Sequence, residues 1–225
     1  MADTLVDLAT RVRRPTSPLV TYYDLDTGER VELSGVTTAN WVAKTANFLI
    51  DELDAEIGTR VRIGLPTHWL RVVWLLSAWQ VGAVVVERDA QIAVTGPDLE
   101  ADEPDRVASA LLPFGVRFPE PPAGFWDIGV EVPGHPDIYL GLSFPGPADA
   151  AVELADLAGT HADLLATPPD DRRLVLTEGD VARDASLLVA ACRGGGSLVL
   201  CRGGGTDALE RTAVQEQATV WTPTV

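Results

Sequence analysis

The sequence predicts an α/β fold: three layers, with largely parallel sheet flanked by helices, opened by an N-terminal β-hairpin. Three stretches carry that prediction. Residues 60–86 read strand, apolar helix, strand; residues 173–221 alternate strand and helix; residues 19–33 read as two arms around a tight turn. Strands alternating with helices are the signature of a parallel sheet with crossover helices. A chain of 225 residues, 46% hydrophobic and 22% charged, is long enough to bury a substantial core.

Taken in order, residues 3–13 suggest a short helix with Leu5, Leu8 and Val12 on one side, broken by Pro15 and Pro18. The hairpin follows, its turn supplied by Asp26-Thr27-Gly28-Glu29. A helix begins between Ser34 and Thr38. Trp41, Val42, Thr45, Phe48, Leu49 and Leu53 share one face, and Gly58 ends it. Arg60 to Leu65 is a strand ended by Pro66, and Thr67 is the expected cap of the next helix. From Trp69 to Ala83 that helix is apolar nearly all round, interrupted by Arg71 and Gln80. Trp69, Trp74 and Trp79 are spaced five apart, so they point about 140° apart and require cover on several sides. Gly82 is its C-terminal signal, and Val84-Val85-Val86 reads as a strand buried on both faces.

Gln91 to Thr95 is a further strand. Residues 98–110 read as an acidic helix start, with Asp98, Glu100, Asp102, Glu103 and Asp105 suited to the helix dipole. Prolines dominate residues 112–149, where Gly129–Val132 and Asp137–Leu142 are expected to be extended. Residues 148–158 read as a short Ala-rich helix. The tail then gives strand 173–177, helix 178–192, strand 197–201, helix 207–217 with a reciprocal Asp207–Glu210 cap, and strand 218–221. The expected organisation is one compact unit over 1–225, divisible into two intimate lobes, 60–170 and 1–58 with 173–225.

The bulk numbers exclude several functions. A net charge of −16 opposes binding to nucleic acid and to anionic membranes. Cys192 and Cys201 form neither a disulfide framework nor a zinc site. The N-terminus lacks the apolar core of a signal peptide, and no run is long enough to span a bilayer, so a cytoplasmic protein is expected.

Several segments resemble the adenylate-forming superfamily, the acyl-CoA synthetases and peptide-synthetase adenylation domains. The segment GLPTHWLRVVWLLSAWQVGAVVV is similar to its early strand, helix and hydrophobic strand, with Ala78-Trp79-Gln80-Val81-Gly82-Ala83 matching the helix close. RLVLTEGDVARDASLL, LLVAACRGGGSLVLC and ERTAVQEQATVWTPTV resemble later segments of the same family. The resemblance covers residues 20–95 and 173–225, and the middle only loosely. It implies a Ser/Thr/Gly-rich phosphate loop ending in Pro-Lys-Gly before RLVLT. Here the matching stretch is AGTHADLLATPPDDRR, with Gly159-Thr160 as the vestige and no lysine. The motifs for adenine, magnesium and ribose, and the C-terminal lid, would fall beyond Val225. The resemblance therefore implies a truncated N-terminal portion, a pseudoenzyme that lacks the phosphate loop and the lid.

Other chemistry is sparse. Arg202, Gly203, Gly204, Gly205 and Thr206 lie between a strand and a helix, the layout that cradles phosphates, and are the weak cofactor-binding candidates. Gly141-Leu142-Ser143-Phe144-Pro145 misses the nucleophile elbow at its last glycine. His68, His135 and His161 lack metal-ligand spacing. No catalytic residue, metal or cofactor is expected, and ATP or AMP binding is not favoured. The leading reading is a non-catalytic acyl-CoA-synthetase-like protein that binds a small ligand or a protein, with a second copy of itself or another chain as partner. The alternatives are a subunit of a split AMP-forming ligase, and a hydrolase or transferase using other residues.

Overall fold

A computed structural model describes residues 4–223. Of the helix predicted at 3–13, residue 3 lies outside the described residues. Residues 4–11 are successive turns instead, because Asp7 takes φ +56° and breaks the helical ladder. Leu5, Leu8 and Val12 are buried nonetheless.

Strands β1 (Pro18–Asp24) and β2 (Glu29–Ser34) form the antiparallel hairpin. Asp24 sets its corner: Oδ1 accepts the amides of Asp26 and Thr27 at 3.0 and 2.9 Å. Helix α1 (Gly35–Asp51) is capped by the Ser34 side chain and stops before Gly58, with Glu52 as its C-cap.

The central unit is β3 (Arg60–Ile63), α2 (Trp69–Val81) and β4 (Val84–Val86), with the two strands parallel. The cap of α2 is His68, not Thr67. Its Nδ1 accepts the Leu70 amide at 3.2 Å, while the Thr67 hydroxyl is taken by the Gly179 amide at 3.2 Å and by Arg71 at 3.3 Å. Every residue of α2 is buried. Its cover comes from β3 and β4 on one side and from α1, β1 and the later helix Val181–Gly194 on the others, so the three tryptophans are enclosed.

β5 (Ile92–Thr95) pairs beside β3. The helix expected at 98–110 is β6 (Asp105–Ala108), parallel to β5. The exposed edge of β5 has a ladder to fill, and Val107 and Ala108 are buried by filling it. The acids form the preceding loop, where Glu103 pairs with Arg62. A short β7 (Trp126–Asp127) leads into one helical turn, α3 (Ile128–Glu131). Gly129 to Val132 is thus helical rather than extended, because Asp127 Oδ1 caps the Gly129 amide at 2.9 Å. Asp137–Leu142 joins no sheet. It hangs from Asn47, whose Nδ2 donates to the carbonyls of Pro136 and Ile138.

The Ala-rich helix predicted at 148–158 is a hairpin of β8 (Ala150–Leu154) and β9 (Leu157–Thr160). Here β8 completes the ladder of β4, and that pairing overrides alanine's helical preference. A capping box of Thr160 and Asp163 starts α4 (His161–Leu165). The tail is β10 (Arg173–Leu176), α5 (Val181–Gly194), β11 (Ser197–Arg202), α6 (Thr206–Gln215) and β12 (Thr219–Val220). The N-cap of α6 is Gly205 with no side-chain bond, so the Asp207–Glu210 cap is not formed.

These strands build two sheets. One has the order β12-β10-β11-β1-β2, parallel except for β2; the other has the order β7-β6-β5-β3-β4-β8-β9, parallel except for β9. The sequence-predicted α/β class, with largely parallel sheets, flanking helices and an N-terminal hairpin, describes this architecture.

Gly82 closes α2 with φ +83°, and a Cβ there would lie 2.9 Å from Ile57 Cγ1 and 3.2 Å from Pro145 Cβ. Gly82→Ala is expected to cost about 1–2 kcal/mol from the backbone alone, with the contacts adding to it. A urea melt of the variant against the parent checks this.

Candidate functional site: the cleft between the sheets

Ligands of open α/β sheets bind beyond the carboxyl ends of the strands, where loops splay apart. At that edge of the seven-stranded sheet, the ends of β3, β4 and β8 face the start of α5 across a cavity of about 320 Å³. Ile63, Leu65, Val86 and Leu154 line it, with Arg62, Arg71, Glu87, Asp156 and Asp180 around them. A second hollow of about 290 Å³ shares Asp156, Asp180 and Ala182 and runs along α5 to Leu187 and Trp221.

One buried group holds this edge in place. Arg71, 5% exposed, donates from Nη1 to Asp184 Oδ2 at 2.6 Å and to the Gly179 carbonyl at 2.7 Å. Its Nε and Nη2 donate to the Leu65 carbonyl at 3.0 and 2.5 Å. Asp184 is fully buried, and its other oxygen accepts from Arg183 at 2.7 and 3.0 Å. The chain after β3 is thereby tied to the chain after β10. Arg183 also reaches the Thr177 carbonyl and lies 5.6 Å over the Trp221 ring. Sequence reasoning missed this pair. Its signal was available: an arginine inside an all-apolar helix needs a buried counter-charge.

Each guanidinium that faces the cleft is already paired. Arg62 is held by Glu103, with Nη2 to Oε2 at 2.9 Å, and that bond pulls the Glu103 carboxyl down to about 2. Arg60, just outside, bonds Glu153 at 2.6 Å. The only lysine is far from this edge: Lys44 Nζ donates to the His135 carbonyl at 2.5 Å and pairs with Asp137 at 2.9 Å.

The weak candidates Arg202, Gly203, Gly204, Gly205 and Thr206 form the loop from β11 to α6. Gly203 and Gly204 take φ +66° and +68°, and the loop wraps the hairpin turn. Asp26 Oδ1 accepts the Gly204 amide at 3.1 Å, and a Cβ on Gly203 would strike the same carboxylate. Arg202 lies 3.9 Å from Glu178. The vestige Gly159-Thr160 lies at the end of β9, and Thr160 caps α4.

The histidines are structural. His68 and His161 are fully buried, and each uses Nδ1 to accept an amide, of Leu70 and Leu5 respectively. Their Nε2 atoms find no hydrogen-bond partner among the described residues. The His68 ring meets Tyr22 edge-on at 4.4 Å. Burial, with Arg202 and Arg71 nearby, pushes His68 down to about 3, and burial pushes His161 down to about 4. His161 begins α4. His135 sits 3.5 Å from Asp51. Both cysteines are free and buried, their thiols pushed up to about 12 by burial, which makes them unreactive at neutral pH. Among the described residues, no group of three or more His, Cys, Asp or Glu side chains is arranged to hold a metal ion, and no helix is long and apolar enough to cross a membrane.

The two sheets and the cleft define the class: an α/β protein with the fold of the acyl-CoA synthetases. Over 96% of this chain it superposes on the acyl-CoA synthetase of Brucella canis with a TM-score of 0.76 at 16% identity, covering 46% of that protein. The acetoacetyl-CoA synthetase of Streptomyces lividans gives 0.76 at 19% identity, with 96% of this chain and 41% of that one covered. A fatty acyl CoA synthetase of Mycobacterium tuberculosis gives 0.68 at 15%, with 96% and 48% covered. The chain thus spans less than half the length of these synthetases, and at such identities the likeness shows fold alone. No family model matches the sequence. The TIGR03089 family protein of Mycobacterium tuberculosis is 36% identical over 223 residues, 91% of either chain, and the present chain belongs to that family.

Two outcomes follow from the geometry. Arg71→Met leaves the Asp184 carboxylate short of a partner inside the protein and is expected to cost about 3–5 kcal/mol, read as a lowered urea midpoint. Asp184→Asn, which takes the counter-charge from both Arg71 and Arg183, should lower that midpoint at least as far. The buried histidines are neutral in the folded state, while unfolded they titrate near 6.5. Because the folded values lie below the unfolded one, the unfolded chain takes up protons first as pH falls. Stability therefore declines from about pH 6.5 towards the folded values near 3–4, below which this loss is complete. Between pH 7 and 5 each histidine should account for about 2 kcal/mol. His68→Asn, which keeps a capping side chain, should flatten its share of that slope.

Proposed function

We propose that this protein is a binding module built on the acyl-CoA-synthetase fold, which takes a small ligand in the cleft between its sheets and does not adenylate on its own. One observation supports this most directly: among the described residues, every cation lining the cleft is held in an ion pair. Joining a carboxylate to the α-phosphate of ATP requires donors and positive charge aimed at the phosphates. Here Arg62 and Arg71 are consumed by Glu103 and Asp184, and Lys44 is anchored elsewhere. The glycine loop gives an amide to Asp26 rather than keeping it for a ligand. What remains is a concave, partly apolar hollow of the size that suits small molecules.

A second reading is a ligase subunit whose remaining parts come from another polypeptide. It draws on the coverage of 46% and 41% of the Brucella canis and Streptomyces lividans synthetases. The two are separated by calorimetric titration of the purified chain with ATP, magnesium and a non-hydrolysable acyl-adenylate mimic. The binding-module reading expects no heat at millimolar nucleotide. Saturable nucleotide binding by the chain alone would overturn it, and binding that appears only after a second polypeptide is added would establish the subunit.

A further inference from the structure

The segment between α3 and β8 is pinned at two points and turns its apolar side chains outwards. Asn47 of α1 is fully buried, and its amide serves this segment: Nδ2 donates to the carbonyls of Pro136 and Ile138 at 3.1 and 2.9 Å, and Oδ1 accepts the Leu140 amide at 2.9 Å. Further on, Pro145 is buried beside Gly82. Between these anchors Ile138 is 74% exposed, Leu142 is 96% exposed, and Leu140 and Phe144 are each more than half exposed. Leu142 is the most exposed large apolar side chain among the described residues. The Tyr139 ring meets the Phe144 ring edge-on at 6.0 Å, so the segment folds back and gathers these side chains into one patch. Ile138, Tyr139 and Phe144 also form one wall of a hollow of about 320 Å³, and Ala39, Val42 and Ala43 form another. The two acids of the hollow are engaged, Asp137 with Lys44 at 2.9 Å and Asp7 with the Gln80 amide at 3.1 Å.

We propose that this face docks on a second copy of the chain across a two-fold axis, with Leu142 of each copy seated in the hollow of the other. Three observations select that occupant. The first is placement. Knob and hollow belong to one stretch, residues 138–144, so a single two-fold brings both pairs together and closes the contact. A knob far from its hollow would chain copies head to tail instead. The second is charge. Each copy carries −16, so two copies repel except where they meet over neutral surface, and residues 138–148 contain no charged side chain. The third is area. The four exposed side chains offer roughly 500 Å² per copy, near the most that a monomer leaves uncovered. The walls of the hollow bring the face towards the about 800 Å² per partner of a stable interface. Because Asn47 and Pro145 already hold the segment in place, little order is lost on docking. This face lies apart from the cleft between the sheets, and the proposal does not depend on what the cleft binds.

The test is sedimentation of the full chain in the analytical ultracentrifuge at low and at high salt. The expected result is a monomer–dimer equilibrium of micromolar order that stops at two copies and tightens as salt screens the charge on each. Leu142→Ser removes the knob, and Asn40→Trp fills the hollow from its wall. Each should weaken the dimer at least about tenfold. Leu142→Ser alters a side chain that packs on little within its own chain, so its urea midpoint should stay with that of the parent. Val214→Ser, at an exposed apolar side chain of α6, should leave the dimer unchanged. Mixing the two weakened variants should restore association in part, since the leucine of one then meets the open hollow of the other. A chain that stays monomeric at about 100 μM in high salt would overturn the proposal. So would a dimer that Leu142→Ser leaves intact, or assemblies that grow past two copies. A mixture of the variants that regains nothing would overturn the reciprocal seating.

Discussion

The Arg71–Asp184 pair is the constraint on which this architecture turns. It joins a helix that belongs to the seven-stranded sheet, α2, to a helix that belongs to the five-stranded one, α5. Both groups are withdrawn from water, and desolvating them is costly unless every donor and oxygen is used. They are used. The guanidinium reaches the carbonyls of Leu65 and Gly179 as well as Asp184, and Arg183 takes the other carboxylate oxygen. A hydrophobic pair of the same volume would also hold two helices together, but it would fix neither their register nor the positions of those two carbonyls. The cleft exists because the chain after β3 and the chain after β10 are pinned to one guanidinium.

Helix α2 explains why there must be two sheets at all. Its residues are buried around the full circumference. A helix on the outside of one sheet needs only one apolar stripe; a helix with no polar face needs cover on every side. Trp79 donates its indole N–H to the Ala151 carbonyl of β8 at 3.1 Å, while Trp69 packs edge-on against Trp41 of α1 at 5.2 Å. Those contacts lie on different sides of the helix and belong to different layers. The three tryptophans, spread by their spacing, commit α2 to an interior position, and the layers follow from that.

What could be read in the sequence was what local chemistry decides. The β1–β2 turn, the β3–α2–β4 unit with Gly82 at its close, and the alternation of the tail each carry their own period and punctuation, and each is present. The elements misread were those settled by distant partners. β6 and β8 have acidic or Ala-rich sequences that lean towards helix, but each lies beside an unfilled ladder, of β5 and β4 respectively. An open edge of backbone donors and acceptors outweighs a few tenths of a kcal/mol per residue of propensity. His68 displaced Thr67 as the cap for a similar reason, since the Thr67 hydroxyl is claimed by Gly179 across the cleft. The site was less legible than the fold. Arg71 announced that a counter-charge was needed, but nothing local in Asp184 announced that it was the one.

Positive charge in this chain is spent inside the scaffold. A chain with 17 basic residues against 33 acidic ones has few cations to spend. Arginine's planar fork suits it to bonding carbonyls and carboxylates inside a structure, and this protein uses arginine there. Arg30 and Arg173 both bind Glu216, gathering β2, β10 and the end of α6. Arg62 ties β3 to the loop before β6, and Arg71 and Arg183 close the α2–α5 junction. Each of these pairs removes a donor from the pool that an anionic ligand would need. A fold can be kept while its site changes, and here the arginines at the cleft, Arg62, Arg71 and Arg183, are bound to Glu103 and Asp184 and serve the scaffold.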